Sequence, residues 1–206
     1  MPFSLPKLYP ITDVSISRLS HAEQIERLAA GGASLIQLRE KHASPREFYQ
    51  AALEAMLVAK RLGVQLVIND RVDVAIAVKA DGVHLGQEDL PPGKARMLLG
   101  EDRIIGFSTH TLDQALEADS APVDYIAIGP VFTTSSKENP DAIVGPANVH
   151  EVKLRISKPL VAIGGITLES ARSVIDAGAD SVAVISDLLA TRDITERTRR
   201  FLEALA

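Results

Sequence analysis

Eight short runs rich in valine and isoleucine recur along the chain, and this recurrence narrows the folds open to it. They are KLYPIT (7–12), LIQLRE (35–40), QLVIND (65–70), GVHLG (82–86), RIIGFST (103–109), YIAIGPV (125–131), PLVAIGG (159–165) and SVAVIS (181–186). Each is too short for a typical helix and is bounded by Gly, Asp or Pro, as buried strands are. Helical patterns fill the intervals. In SPREFYQAALEAMLVAKRLG, Ser44 is placed to cap, Pro45 takes the first helical position and Gly63 ends the run. TLESARSVIDAG opens on Thr167, with Ser170 at the third position and Gly178 as terminator, and Asp193 opens the amphipathic DITERTRRFLEAL.

Eight strands alternating with about eight helices in 206 residues suit the small end of the α/β (β/α)8 TIM barrel range. A doubly wound open sheet also alternates. The count of eight, and polar residues at nearly every C-terminal strand end, favour the barrel. No linker or low-complexity tract interrupts residues 1–206, so one barrel domain is expected.

A hydrophobic content of 46% with 24% charged residues is ordinary for a globular chain. The net charge of -5 argues against nucleic acid as a partner but leaves room for a local cationic pocket. With no cysteine, disulfides, thiolate catalysis and cysteine metal sites are excluded. The start MPFSLPKLYP lacks the features of a secretory signal, and no run of about eighteen apolar residues suggests a membrane span. A cytoplasmic protein is expected, with small-molecule substrates as its partners and a homo-oligomer open.

In a parallel barrel the chemistry collects where the C-terminal strand ends converge. In LIQLREK, strand alternation puts Gln37, Arg39 and Lys41 on one face and Leu38 and Glu40 on the other. The next ends supply Asn69 and Asp70, then Gln87, Glu88 and Asp89, then Ser108 and His110. Asp70 and Asp89 end adjacent strands, and paired carboxylates repel unless a cation or proton lies between them. An all-oxygen site points to Mg2+; helix capping by either aspartate is the alternative.

Arg39, Lys41 and Lys137 suit a multiply charged phosphate group, although Lys137 alone could be a solvated loop lysine. The loop VFTTSSKENPDAIVG carries Thr134, Ser136 and Lys137 and reads as a binding loop or lid. AIGGIT before a helix, followed by VAVIS ending in Ser186, has the form of a phosphate cradle. His84 is expected in the core. His110 could orient a ligand or cap a helix, and His21, His42 and His150 are expected at the surface. No Ser–His–Asp arrangement is found. Two anionic pockets, one for a pyrophosphate and one for a monophosphate, would serve a reaction joining two phosphorylated fragments.

LYPITD, IQLREK, VINDRVDVA, ADGVHLGQEDL, IIGFSTHT, DYIAIGPVF, AIGGIT and AGADSVAVIS occur in order over nearly the whole chain, and in these the sequence resembles the thiamine phosphate synthase family. The resemblance implies a barrel enzyme that joins hydroxymethylpyrimidine pyrophosphate to a thiazole monophosphate and releases pyrophosphate. It assigns the pyrimidine pyrophosphate to the run Gln37, Leu38, Arg39, Glu40 and Lys41 with Asn69, Ser108 and Lys137, although Glu40, on the opposite face, is better suited to a structural role. Arg39, Lys41, Ser108 and Lys137 are the implied catalytic groups. Asp70 and Asp89 match the Mg2+ ligands. Thr134, Ser135, Ser136, Gly165, Ile185 and Ser186 match the thiazole phosphate site. The family's usual Pro-Thr-x-Thr-Lys is here Thr133-Thr134-Ser135-Ser136-Lys137, which bears on loop order and thiazole affinity. The related thiazole tautomerases typically lack the Asn69-Asp70 and Glu88-Asp89 ends. A Schiff-base aldolase through Lys137, or a non-catalytic ligand-binding barrel, are the other readings.

Overall fold

The computed structural model describes residues 4–134 and 142–206. The strands are β1 (Leu8–Thr12), β2 (Leu35–Leu38), β3 (Gln65–Asn69), β4 (Gly82–Leu85), β5 (Ile104–Thr109), β6 (Tyr125–Ile128), β7 (Leu160–Ile163) and β8 (Ser181–Val184). Helices α1 (Val14–Ser17) and α2 (His21–Ala30) follow β1, and α3 (Pro45–Leu62) follows β2. Next come α4 (Val72–Val78), α5 (Pro92–Leu99), α6 (Leu112–Ser120), α7 (Gly145–Lys153) and α8 (Leu168–Asp176), one after each of β3 to β7. After β8 stand α9 (Ser186–Leu189) and α10 (Ile194–Leu205). All neighbouring strands are parallel, and β1 pairs with β8 through Leu8–Val182, Tyr9–Ala183 and Pro10–Val184, closing the barrel. The expected (β/α)8 fold is the observed one.

Local chemistry places the helix ends where the sequence puts them. Ser44 accepts the Glu47 N–H while Glu47 reaches back to the Ser44 N–H, and Gly63 ends α3 in the left-handed region at φ 69°. The Thr167 N–H donates to Ser170 Oγ at 3.0 Å, and Asp193 Oδ1 accepts the Glu196 N–H at 2.9 Å. The strands stop earlier than their apolar runs suggest. β2 ends at Leu38, so Arg39, Glu40 and Lys41 leave the ladder and are held by other bonds.

Period-two alternation sorts the strand side chains into two cores. Leu8, Ile36, Leu38, Leu66, Ile68 and Val83 point outward and pack beneath the helices, whereas Tyr9, Ile11, Leu35, Val67, Tyr125 and Val161 fill the barrel interior. Within that interior the Tyr9 and Tyr125 rings meet edge to face at 5.8 Å, and His84 stacks on Tyr125 at 5.5 Å. Gly106 makes room for them. A Cβ there would lie 2.1 Å from Tyr125 Cζ and 2.5 Å from His84 Nδ1, inside any tolerable contact.

Gly106→Ala therefore forces Tyr125 and His84 out of place, and it should destabilise the chain by about 1–3 kcal/mol, measured as a lower urea midpoint at unchanged m-value. A midpoint equal to the parent's would show that the interior yields without cost.

Candidate active site

The C-terminal strand ends bring together most of the residues singled out in the sequence. Asp70, the first residue past β3, has φ 63°, a left-handed conformation that Asp tolerates better than most side chains, and its N–H donates to the His84 carbonyl at 2.8 Å. Neither Asp70 nor Asp89 caps a helix. The cap positions of α4 and α5 fall on Arg71 and Pro91 without side-chain bonds. Instead Asp89 Oδ2 accepts the Gly86 N–H at 2.7 Å within its own loop, and its carboxyl group lies near enough to that of Asp70 for the two to interact. Burial pushes the Asp89 carboxyl up; the Gly86 N–H opposes this, and the Asp70 carboxylate adds to the rise. Lys41 Nζ bonds Asp70 Oδ2.

Arg39 Nη1 reaches Asp13 Oδ2 at 2.8 Å. Asp13, directly after β1, caps α1 through its other oxygen, which accepts the Ser15 and Ile16 N–H groups. Asn69 is 7% exposed, and its Nδ2 finds no acceptor among the described residues. An orphaned donor of this kind, at the convergence of the strand ends, calls for an acceptor from outside the chain.

Beneath these groups a column of hydrogen bonds crosses the barrel. Gln37 Nε2 donates to Tyr9 Oη at 3.3 Å, the Tyr9 and Tyr125 hydroxyls meet at 2.9 Å, and Tyr125 Oη lies 2.9 Å from His84 Nδ1. His84 Nε2 then meets Ser108 Oγ at 2.8 Å, and Gln87 Nε2 donates to the Ser108 carbonyl. Burial drives His84 down to about 4, so the ring is neutral and can carry one donor and one acceptor along the column. Burial likewise raises both tyrosines, which stay protonated.

On the opposite side of the mouth, Thr133, Thr134, Gly165, Thr167, Ser186 and Asp187 line a cleft of about 310 Å³. Gly165 has φ 65°, and a Cβ there would meet the Thr133 carbonyl at 2.4 Å. Glycine thus lets the loop after β7 lie against the backbone after β6. Asp187 Oδ2 accepts the Leu168 N–H at 2.8 Å, and Arg197 Nη2 bonds both Asp187 oxygens, which offsets a negative charge at the cleft.

Several sequence expectations change here. Leu38 is fully buried in the outer core, so its side chain cannot line the site. Glu40 Oε1 accepts the His42 and Ala43 N–H groups at 2.8 and 3.2 Å, the structural role its face suggests. The Ile185 side chain packs against the barrel cores, so its place in the expected phosphate cradle would be through its backbone. His21, expected at the surface, is 2% exposed and bonded to Thr12 and Glu40, because the first turn of α2 folds over the end of β1. His110 does not cap α6: Thr111 does, and His110 Nδ1 meets the Gly129 carbonyl at 2.7 Å. Ser135, Ser136 and Lys137 lie outside the described residues. Asp13, Tyr9, Tyr125 and Asp187 are additions; Asp13 follows β1 directly and Asp187 follows the apolar run SVAVIS, three residues past the end of β8, so reading every strand end would have found them.

Comparison with known proteins agrees with this geometry. A family model described as thiamine monophosphate synthase matches residues 8–188. A thiamine-phosphate synthase from Koribacter versatilis is 49% identical over 208 residues, covering 98% of this chain and 96% of its own. One from Chloroflexus aurantiacus is 45% identical over 195 residues, covering 94% and 90%. The solved thiamine phosphate pyrophosphorylase of Pyrococcus furiosus superposes with a TM-score of 0.87 at 35% identity, covering 97% of this chain and 95% of its own. Family model, relatives and barrel converge: the chain belongs to the thiamine monophosphate synthase family, and its activity is the transferase reaction that makes thiamine phosphate.

Proposed function

We propose that the two halves of the mouth divide the substrates: the Asp70–Asp89 side takes hydroxymethylpyrimidine pyrophosphate, and the Gly165–Ser186 cleft takes the thiazole monophosphate. The observation that carries this reading is that the Asp70 carboxylate lies near enough to Asp89 to push its carboxyl up, with Lys41 bonded to Asp70 and Asn69, the residue before Asp70, holding an Nδ2 that finds no acceptor among the described residues. Two facing carboxylates with oxygen-only donors fit Mg2+, which commonly takes one or two carboxylates and completes its shell with water and substrate phosphate. When bound, the ion supplies Lewis-acid stabilisation of charge on the departing phosphate.

The chain's own groups account for the rest. Arg39 and Lys41, rooted on the segment after β2, offer donors to the pyrophosphate oxygens, and their charge favours the leaving group as it develops. The column from Gln37 to Ser108 presents a fixed set of donors and acceptors beneath the aminopyrimidine. As the carbon–oxygen bond breaks, its electron pair leaves with pyrophosphate and the electron-rich pyrimidine carries the methylene cation. The thiazole nitrogen then forms the new carbon–nitrogen bond with its lone pair. No enzyme nucleophile enters. Lys137, assigned to the same pyrophosphate by family likeness, lies outside the described residues.

Mixing the protein with both substrates and Mg2+ and assaying thiamine phosphate and pyrophosphate tests the reading. Asp70→Ala and Asp89→Ala should each lower Mg2+-dependent pyrophosphate release by roughly 100-fold or more; parent rates in both would remove the metal from this position. Asp89→Asn gives the electrostatic counterpart. The native carboxyl is raised, so in chelator the parent loses stability relative to Asp89→Asn as pH climbs through that raised value. The variant should melt higher at pH 7 and nearly level with the parent near pH 4. Arg39→Ala should raise KM for the pyrimidine pyrophosphate by about tenfold or more with KM for the thiazole phosphate unmoved.

A further inference from the structure

His21 is a buried imidazole that the reaction described above does not use. It opens α2, and its two ring nitrogens point in different directions: Nδ1 lies 2.7 Å from Thr12 Oγ1 and Nε2 lies 3.4 Å from Glu40 Oε2. Thr12, fully buried at the end of β1, accepts the Arg39 N–H at 3.4 Å. Glu40 accepts the N–H groups of His42 and Ala43.

Chemistry assigns every proton in this chain of bonds. An ionised carboxylate only accepts, so the ring proton sits on Nε2 and is donated to Glu40. Nδ1 is then the acceptor, and the Thr12 hydroxyl donates to it while its oxygen accepts the Arg39 N–H. Burial, partly offset by Glu40, lowers His21 and keeps the ring neutral, as this arrangement requires. One tautomer satisfies all five bonds.

The segment so held is the one that leaves the sheet. β2 stops at Leu38, so residues 39–43 have no ladder to fix them, and Arg39 and Lys41 project from it. His21 ties its beginning, through Thr12, to its end, through Glu40. Gln24, three residues along the same face of α2, accepts the N–H of Asp13, the partner of Arg39. The start of α2 is thus a polar platform beneath the cationic segment.

We propose that His21 is a positioning residue for the Arg39–Lys41 segment, acting through Thr12 and Glu40 to hold both cations where they meet the pyrophosphate of the pyrimidine substrate. This rests on the pyrophosphate assignment above. His21 itself touches no reacting atom.

The test compares His21→Leu, which deletes both bonds at similar volume, with His21→Gln, which restores one acceptor and one donor. His21→Leu should raise KM for the pyrimidine pyrophosphate, and the inhibition constant of free pyrophosphate, by roughly tenfold. KM for the thiazole phosphate should not move, and His21→Gln should recover most of the loss. Glu40→Gln, which sets an amide donor against the Nε2–H, should reproduce the His21→Leu pattern, and it decides the matter if His21→Leu does not fold. Parent values for the pyrimidine substrate in these variants, or equal rises in both KM values, overturn the role of His21. Arg39→Ala separates the two failures: if it too leaves pyrophosphate affinity at the parent value, the assignment of the segment is what fails.

Discussion

The pairing of β1 with β8 is the constraint on which the site depends. An open sheet of the same strands would leave Asp13, at the end of β1, far from Asp187, after β8. Closure through the Tyr9–Ala183 register puts all eight C-terminal ends around one mouth. Residues as far apart in sequence as Asp13 and Asp187 then share one rim. The parallel arrangement gives every strand end the same polarity, so polar residues placed just past the apolar runs accumulate on that rim and nowhere else.

An eight-stranded barrel has an interior just wide enough for side chains to fill it, and here part of that filling is polar. Two tyrosines, a histidine and a glutamine occupy positions that branched aliphatic residues commonly take in such barrels. Each buried polar atom would cost free energy if left unpaired, and the column running from Gln37 to Ser108 pairs them with one another. The missing side chain at Gly106 makes the column possible. Its upper end lies at Ser108, two residues past Gly106 on β5, and Asn69, paired with His84 across the β3–β4 ladder, carries an Nδ2 without an acceptor among the described residues, so the polar interior leads up to the rim. At the rim itself, each cation is set against a carboxylate from a neighbouring strand end, Arg39 against Asp13 and Lys41 against Asp70. The pairs hold charged groups in a partly buried mouth that neither sign could occupy alone at small cost.

What could be read in the sequence follows from how local each cause is. Helix limits were legible because a cap acts within three or four residues: Ser44 with Glu47, Thr167 with Ser170, Asp193 with Glu196. Strand number and the Asp70–Asp89 pairing were legible because period and strand adjacency carry them. The strand-like alternation of Gln37, Arg39 and Lys41 was half right. Gln37 does point into the barrel, but the ladder ends one residue later, and Arg39 and Lys41 reach their partners from a turn that no two-residue period describes.

His21 lay beyond sequence reading for a different reason. Its neighbours Ser20 and Glu23 form an exposed capping box, so every local sign marks the turn as surface. Only the approach of Glu40, nineteen residues on, and of Thr12 from the first strand turns that position inward. A buried polar group is fixed by partners that come from elsewhere in the chain, and a single sequence displays the group without its partners. For that reason the residues proposed to contact substrate phosphates were easier to find, by charge and position, than the one proposed to hold them in place.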